Sequence, residues 1–135
     1  MPLVDEYVKE GEWAKAAPLL DMLVKRANKR PADEQHKLWF AFGRTATELG
    51  DDERALKAFT NANQLDPQHL PSLQGLAAVY YRTKDWEKAF KFYQMLLVHH
   101  RDSLGREDIT DIFYRLGVIK REQGERRKAL NEQLT

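Results

Sequence analysis

Residues 36–69 read HKLWFAFGRTATELGDDERALKAFTNANQLDPQH, and the spacing of their apolar and small residues predicts two antiparallel helices. Trp39 and Phe42 share one face at i, i+3, and Gly43 beside them leaves room for a partner helix to approach closely. Gly50 ends the first helix, where positive φ costs glycine little. Ala55, Phe59 and Ala62 then line one face of the second helix at i, i+4, i+7. Pro67 has no N–H with which to continue that helix, so the unit closes at Asp66-Pro67.

The pattern recurs on both sides of this window. One period on, Leu73, Leu76-Ala77, Tyr80, Asp85, Ala89, Tyr93 and Leu96 take matching places, with Lys84 standing where Gly50 stands. A further unit opens near Thr110 with Phe113, Leu116-Gly117, Gly124-Glu125 and Ala129. Backwards, Gly11-Glu12, Ala16, Leu20 and Leu23 match the second half of an earlier unit, whose first helix holds only Leu3, Val4 and Tyr7. The residue that ends each first helix is therefore Gly11, Gly50, Lys84 and Gly124, at steps of 39, 34 and 40 residues. The two long steps place their excess at Asn28–Glu34 and Arg101–Glu107. They imply that the second helices of the first and third units are extended, then broken by Pro31 and Gly105.

This pattern resembles the tetratricopeptide repeat (TPR), whose Trp, Leu-Gly, Tyr, Ala, Phe and Pro signature has a period of about 34 residues. Phe42 stands for the Leu and Ala46 for the Tyr, and both places stay apolar. Trp39, Gly43 and Asp66-Pro67 fit this family better than a pentatricopeptide array. The resemblance implies an all-α fold, an α-α superhelix (TPR solenoid) of antiparallel helix pairs with about three and a half repeats. The expected units are 1–35 with a truncated first helix, 36–69, 70–109, and 110–135 with a truncated second helix. Incomplete units at both ends make the chain read as a fragment of a longer protein, whose other parts can carry a targeting segment.

Composition narrows the function classes. Apolar content of 42% with 32% charged residues fits a soluble, amphipathic helical chain. No run approaches the roughly 18 apolar residues of a membrane span, so no membrane partner is expected and the expected compartment is cytoplasmic. A formal charge of +1 supplies no general field for nucleic acid. With no cysteine there is no disulfide, thiolate nucleophile or cysteine metal site. His99 and His100 are adjacent and point about 100° apart, whereas a helical metal site wants i, i+4, and His36 and His69 sit at unit boundaries. Asp51-Asp52-Glu53 and Glu107-Asp108 precede helices, where capping and the helix dipole account for them. Ser72 and Ser103 lie outside any nucleophile elbow, and no glycine loop cradles a phosphate. The expectation is no catalytic residue, no metal and no cofactor: the chain reads as a non-enzyme. Pro18, within Trp13–Lys29, reads as a tolerated kink on an outer face.

In TPR proteins the first helices line a concave face that holds an extended or helical peptide, and the resemblance implies the same here. The positions opposite the core faces are Phe40, Arg44 and Thr47; Gln74, Ala78, Tyr81 and Arg82; and Tyr114, Arg115, Val118 and Arg121. Aromatics with arginines and few acids suit a protein or peptide partner carrying acidic and apolar residues. The competing reading pairs these arginines internally, with Glu48 and Glu122 as candidates. A carboxylate clamp of the chaperone-binding kind needs an inward Asn, and Arg44, Ala78 and Val118 occupy those places. The expected function is a non-catalytic protein–protein interaction scaffold. The alternatives are self-assembly into homo-oligomers through terminal helices, using Leu3, Val4, Tyr7, Leu130 and Leu134, and, more weakly, RNA binding by a basic groove. Trp39 is expected to be buried between its own second helix and a neighbouring unit.

Overall fold

The protein is described by a computed structural model covering residues 2–134; Met1 and Thr135, the outer bounds of the expected array, lie outside the described residues. Among those residues there is no strand. The order is α1 (Pro2–Lys9), α2 (Trp13–Val24), α3 (Ala32–Glu48), α4 (Asp52–Leu65), α5 (Leu70–Arg82), α6 (Trp86–His99) and α7 (Arg106–Leu134). Helices next to each other in sequence pack together, and α3 also meets α5, which is the arrangement of an all-α, TPR-like helical repeat.

Three of the four expected turns have one geometry. Gly11, Gly50 and Lys84 take φ of +73°, +76° and +64°. The amide after each reaches back to close the preceding helix: Glu12 N donates to Tyr7 O at 2.8 Å, Asp51 N to Ala46 O at 2.9 Å, and Asp85 N to Tyr80 O at 2.9 Å. This is the Schellman closure, which satisfies carbonyls the helix end leaves open. Asp51 and Asp85 then start the next helix, their Oδ1 atoms accepting from Arg54 N at 3.1 Å and Lys88 N at 3.4 Å. Lys84 holds the left-handed conformation that glycine holds in the other two turns.

At the centre, the Phe59 ring on α4 lies against two glycines. A Cβ built on Gly43 of α3 would sit 2.7 Å from Phe59 Cδ1, and one on Gly75 of α5 would sit 2.7 Å from Phe59 Cζ. Real side chains do not approach that closely, so both helices come near α4 only because both positions lack a side chain. Ala46, Ala55, Leu76 and Val79 complete this cluster. Trp39 is half-buried, lining a cleft with Val24 of α2 and Arg54 and Lys57 of α4. Pro18 is exposed within α2.

Two expectations are corrected. The second helices are not extended, since α2 has 12 residues and α4 and α6 have 14 each. The extra residues instead form 3₁₀ turns at Ala27–Lys29 and Arg101–Ser103. Each connector returns an apolar side chain to the interior, Ala27 at one and Leu104 at the other, and that burial ends the preceding helix.

The second correction concerns Gly124, where no turn forms. The helix runs on through it, and α7 is 29 residues long. A glycine inside a helix costs about 1 kcal/mol, and the next residues give the chain no reason to stop there. Glu125 stands where Asp51 and Asp85 cap, and Arg126-Arg127-Lys128 would put cations at a helix start, against the dipole. In α4 the corresponding first turn holds Asp52 and Glu53. With no second helix folded back, Phe113 is 51% exposed and Gly117 is open, while Ile112 and Ile119 are the buried residues of α7. At the other end Val4 is buried and Tyr7 half-buried, packed against Leu20 and its neighbours, so of the apolar residues expected to be free there only Leu3 is exposed.

Gly75→Ala is expected to lower stability: overpacking of about 1–3 kcal/mol outweighs a gain in helix propensity of about 1 kcal/mol. In a Phe59→Leu background the added methyl has no ring edge to meet, so a urea-melt double-mutant cycle should show a smaller loss; equal losses in both backgrounds would contradict the wedge. Lys84→Gly should raise stability by about 1 kcal/mol by relieving the left-handed residue, read as a higher urea midpoint.

Candidate functional site

The expected site residues all lie on α3, α5 and α7, but they form two separate groups. On α3, Phe40 is half-buried, 5.9 Å from the Phe59 ring and edge-on to His69 at 5.0 Å. Thr47 is committed locally, its hydroxyl donating to Gly43 O at 2.8 Å. Arg44 is exposed, and its guanidinium lies 5.2 Å from the Trp13 ring. On α5, Gln74 and Ala78 are half-buried, and Arg82 forms an ion pair with Asp52.

The second group is tighter. Tyr81 stands edge-on to Trp86 at 5.6 Å and to Tyr93 at 6.3 Å, and Arg115 of α7 lies over its ring at 4.8 Å. Arg115 Nη1 donates to Tyr93 Oη at 2.6 Å, and its Nε lies 3.1 Å from Asp111. Burial works against the Arg115 charge, but the Tyr93 phenol, its hydrogen bond and Asp111 outweigh it and hold the guanidinium above its usual range. Burial also pushes the Tyr93 phenol up, with Arg115 drawing it partway back, so it stays a neutral acceptor at physiological pH. Beside this cluster on α7, Tyr114 is 69% exposed, Val118 is half-buried and Arg121 is exposed, 3.8 Å from Glu122.

The internal partners of the arginines are Trp13, Asp52, Asp111, Tyr93 and Tyr81, with Glu122 a loose, half-buried neighbour of Arg121. Trp13, Asp52 and Trp86 are each the first residue of a second helix, and each meets a side chain from the C-terminal half of the next or preceding first helix: Arg44, Arg82 and Tyr81. The signal in sequence is position, two residues after each turn residue Gly11, Gly50 and Lys84. Among the described residues no three His, Cys, Asp or Glu side chains gather as a metal site requires, and no helix is long and apolar enough to cross a membrane.

The boundary histidines form a pair, His36 and His69 meeting edge-to-face at 4.3 Å. His69 Nδ1 lies 2.7 Å from the Oγ of buried Ser72, and His36 Nε2 is buried with no hydrogen-bond partner among the described residues. Burial lowers the His69 imidazole below its ordinary value, His36 lowers it further, and Asp66 pulls it partway back. Folding therefore favours neutral His69, the unfolded chain binds more protons just below pH about 6.5, and that stability is present above this pH and lost as pH falls. Melting temperatures measured on both sides of that value should show the loss, and His69→Gln should flatten it; an unchanged slope would contradict the assignment.

A family model described as tetratricopeptide repeat matches residues 46–106, from the last turn of α3 to the start of α7. A TPR repeat-containing protein of Methanocaldococcus jannaschii is 31% identical over 100 residues, which is 73% of this chain and 16% of that relative. The chain therefore spans a small part of the length of the curated relative it matches.

Proposed function

The chain carries tetratricopeptide repeats, and on that premise we propose that it is a non-catalytic protein-interaction scaffold. Its ligand is a peptide or partner segment with acidic and apolar residues, held along the face of α3, α5 and α7 that bears Phe40, Arg44, Gln74, Ala78, Tyr81, Tyr114, Val118 and Arg121. The observation that carries this reading is the Tyr81–Arg115–Tyr93 cluster. Planar side chains already fixed by stacking and hydrogen bonding lose little freedom when a ligand arrives, and such groups dominate binding energy at protein interfaces. Arg115 is spent in building the cluster, so the cations left to meet acidic residues are Arg44, resting on Trp13, and Arg121. Exposed Tyr114 supplies an apolar surface between cluster and solvent.

Fluorescence anisotropy with a panel of labelled acidic–aromatic peptides tests the reading. Arg44→Glu/Arg121→Glu is expected to weaken the best binder by about tenfold or more, and Tyr81→Ala likewise, with salt reducing wild-type affinity. Equal affinity in wild type and both variants would place the ligand elsewhere.

A further inference from the structure

Each helix pair closes over one repeated contact. The residue seven positions before the turn on the first helix is buried with the residue nine positions after it on the second. The pairs are Val4 with Leu20, Gly43 with Phe59, and Ala77 with Tyr93, each within one buried cluster or in direct contact. On α7 the corresponding residue is Gly117, and its slot is empty: an added Cβ would meet nothing within 4 Å. Phe113, at the place of Trp39, is exposed beside it.

The continuation of α7 is a poor occupant for that slot. It runs straight on, and at the places of Ala58 and Phe59 it carries Glu132 and Gln133. Folding back would press a carboxylate and an amide against an apolar groove, with the desolvation cost that entails. The chemistry of the rim says what does fit. Lys120 and Arg127 lie along one edge of the Phe113–Gly117 stripe and Lys128 along the other, and none of the three makes an ion pair among the described residues. Arg101 adds a fourth cation, 5.8 Å from the Phe113 ring. Of the nearby acids, Asp111 is turned to Arg115, Glu122 lies 3.8 Å from Arg121, and Glu132 lines the cleft that Arg127 and Lys128 border.

We infer that this flank of α7, Phe113 and Gly117 rimmed by Lys120, Arg127 and Lys128, docks an acidic helix of a partner protein that seats one aromatic side chain on Gly117, as Phe59 sits on Gly43. The helix supplies the apolar filling that α4 supplies to α3, and its acids meet the unpaired cations. A second copy of this chain is the wrong partner, because a two-fold contact through this flank sets Lys120, Arg127 and Lys128 against themselves. On α7 the flank borders the peptide-binding face: Arg121 follows Gly117 by one turn and stands where the two meet, whereas Val118 points about a quarter-turn away from Gly117, and Arg44 lies on α3.

The probe is a labelled amphipathic peptide with Ala, Phe and Ala spaced as Ala55, Phe59 and Ala62, and glutamate at its other positions, titrated onto the whole chain by fluorescence anisotropy. The titration is made in an Arg44→Glu background, which weakens the face of α3 and α5; saturable binding is expected there, weakened about tenfold or more by Gly117→Glu and by Lys120→Glu/Lys128→Glu, and weakened by salt. Both altered sites are exposed, and circular dichroism melts check that the variants stay folded. Absence of binding, equal binding to Gly117→Glu, or equal binding of a lysine version of the peptide would each overturn the proposal. A concentration-dependent dimer abolished by Gly117→Glu would also overturn it, assigning the flank to a second copy.

Discussion

The spacing of the central helices rests on one aromatic ring. Phe59 leaves α4 between Gly43 of α3 and Gly75 of α5, and both glycines are close enough to its ring that a methyl group would not fit. The ring has backbone on two sides, so it cannot relieve a clash with one helix by moving toward the other. It therefore fixes how far α5 lies from α3, and with it the relation between Phe40 and Arg44 on one helix and Gln74 and Ala78 on the next. In the neighbouring pairs the residues at the same places, Val4 with Leu20 and Ala77 with Tyr93, share one buried cluster each. An array built in this way is stabilised by local and nearest-neighbour contacts, and an unfilled slot, as at Gly117, is felt by the helix that carries it.

Much of this was legible because it is local. Gly43 reads as a place of close approach from its own helix face, and the Gly11, Gly50 and Lys84 turns come from their register, the last without a glycine at all. Gly75 was not legible, because its partner lies in the preceding unit and nothing in the spacing of α5 points to it. Gly124 misled for a different reason. Glycine permits a turn but does not require one, and the decision belongs to the residues after it. Asp51-Asp52-Glu53 gives a new helix a cap and a favourable dipole, followed by an apolar face in Ala55, Ala58 and Phe59. Glu125-Arg126-Arg127-Lys128 gives neither a good cap nor a favourable charge order, and the face beyond is polar. The same glycine-then-acid motif therefore breaks the helix in one setting and is absorbed into it in the other.

The candidate site divides in the same manner. Which residues stand on α3, α5 and α7 was readable from helical periodicity, whereas their partners were not. Arg44 rests on Trp13 and Arg82 pairs with Asp52, contacts made with the unit before. Periodicity within a helix is blind to such contacts. Once the first residue of each second helix is recognised as the one that meets the end of a neighbouring first helix, the role of Trp13, Asp52 and Trp86 becomes a rule of position. Trp13 and Asp52 reach the next unit, giving a π-face to Arg44 and a carboxylate to Arg82, and Trp86 stays within its own, giving a ring edge to Tyr81.

Arg115 shows how the last helix is held without a second helix to cover it. Its guanidinium stacks on Tyr81 of α5, donates to Tyr93 of α6 and lies against Asp111 of its own helix, so one side chain ties three helices together. Two of its donors are engaged, by Tyr93 and Asp111, and the stacking holds the ring of half-buried Tyr81 in place. Ile112 and Ile119 secure the same stretch of α7 from the core side, whereas Gly124 to Leu134 is exposed throughout. The first half of α7 is thus anchored, and the second half continues from it as an exposed helical extension. A ligand on the Tyr81 face would bind to the anchored half, where little ordering of the helix is needed, whereas one on the Gly117 flank would begin on that half and reach along the extension to Arg127 and Lys128.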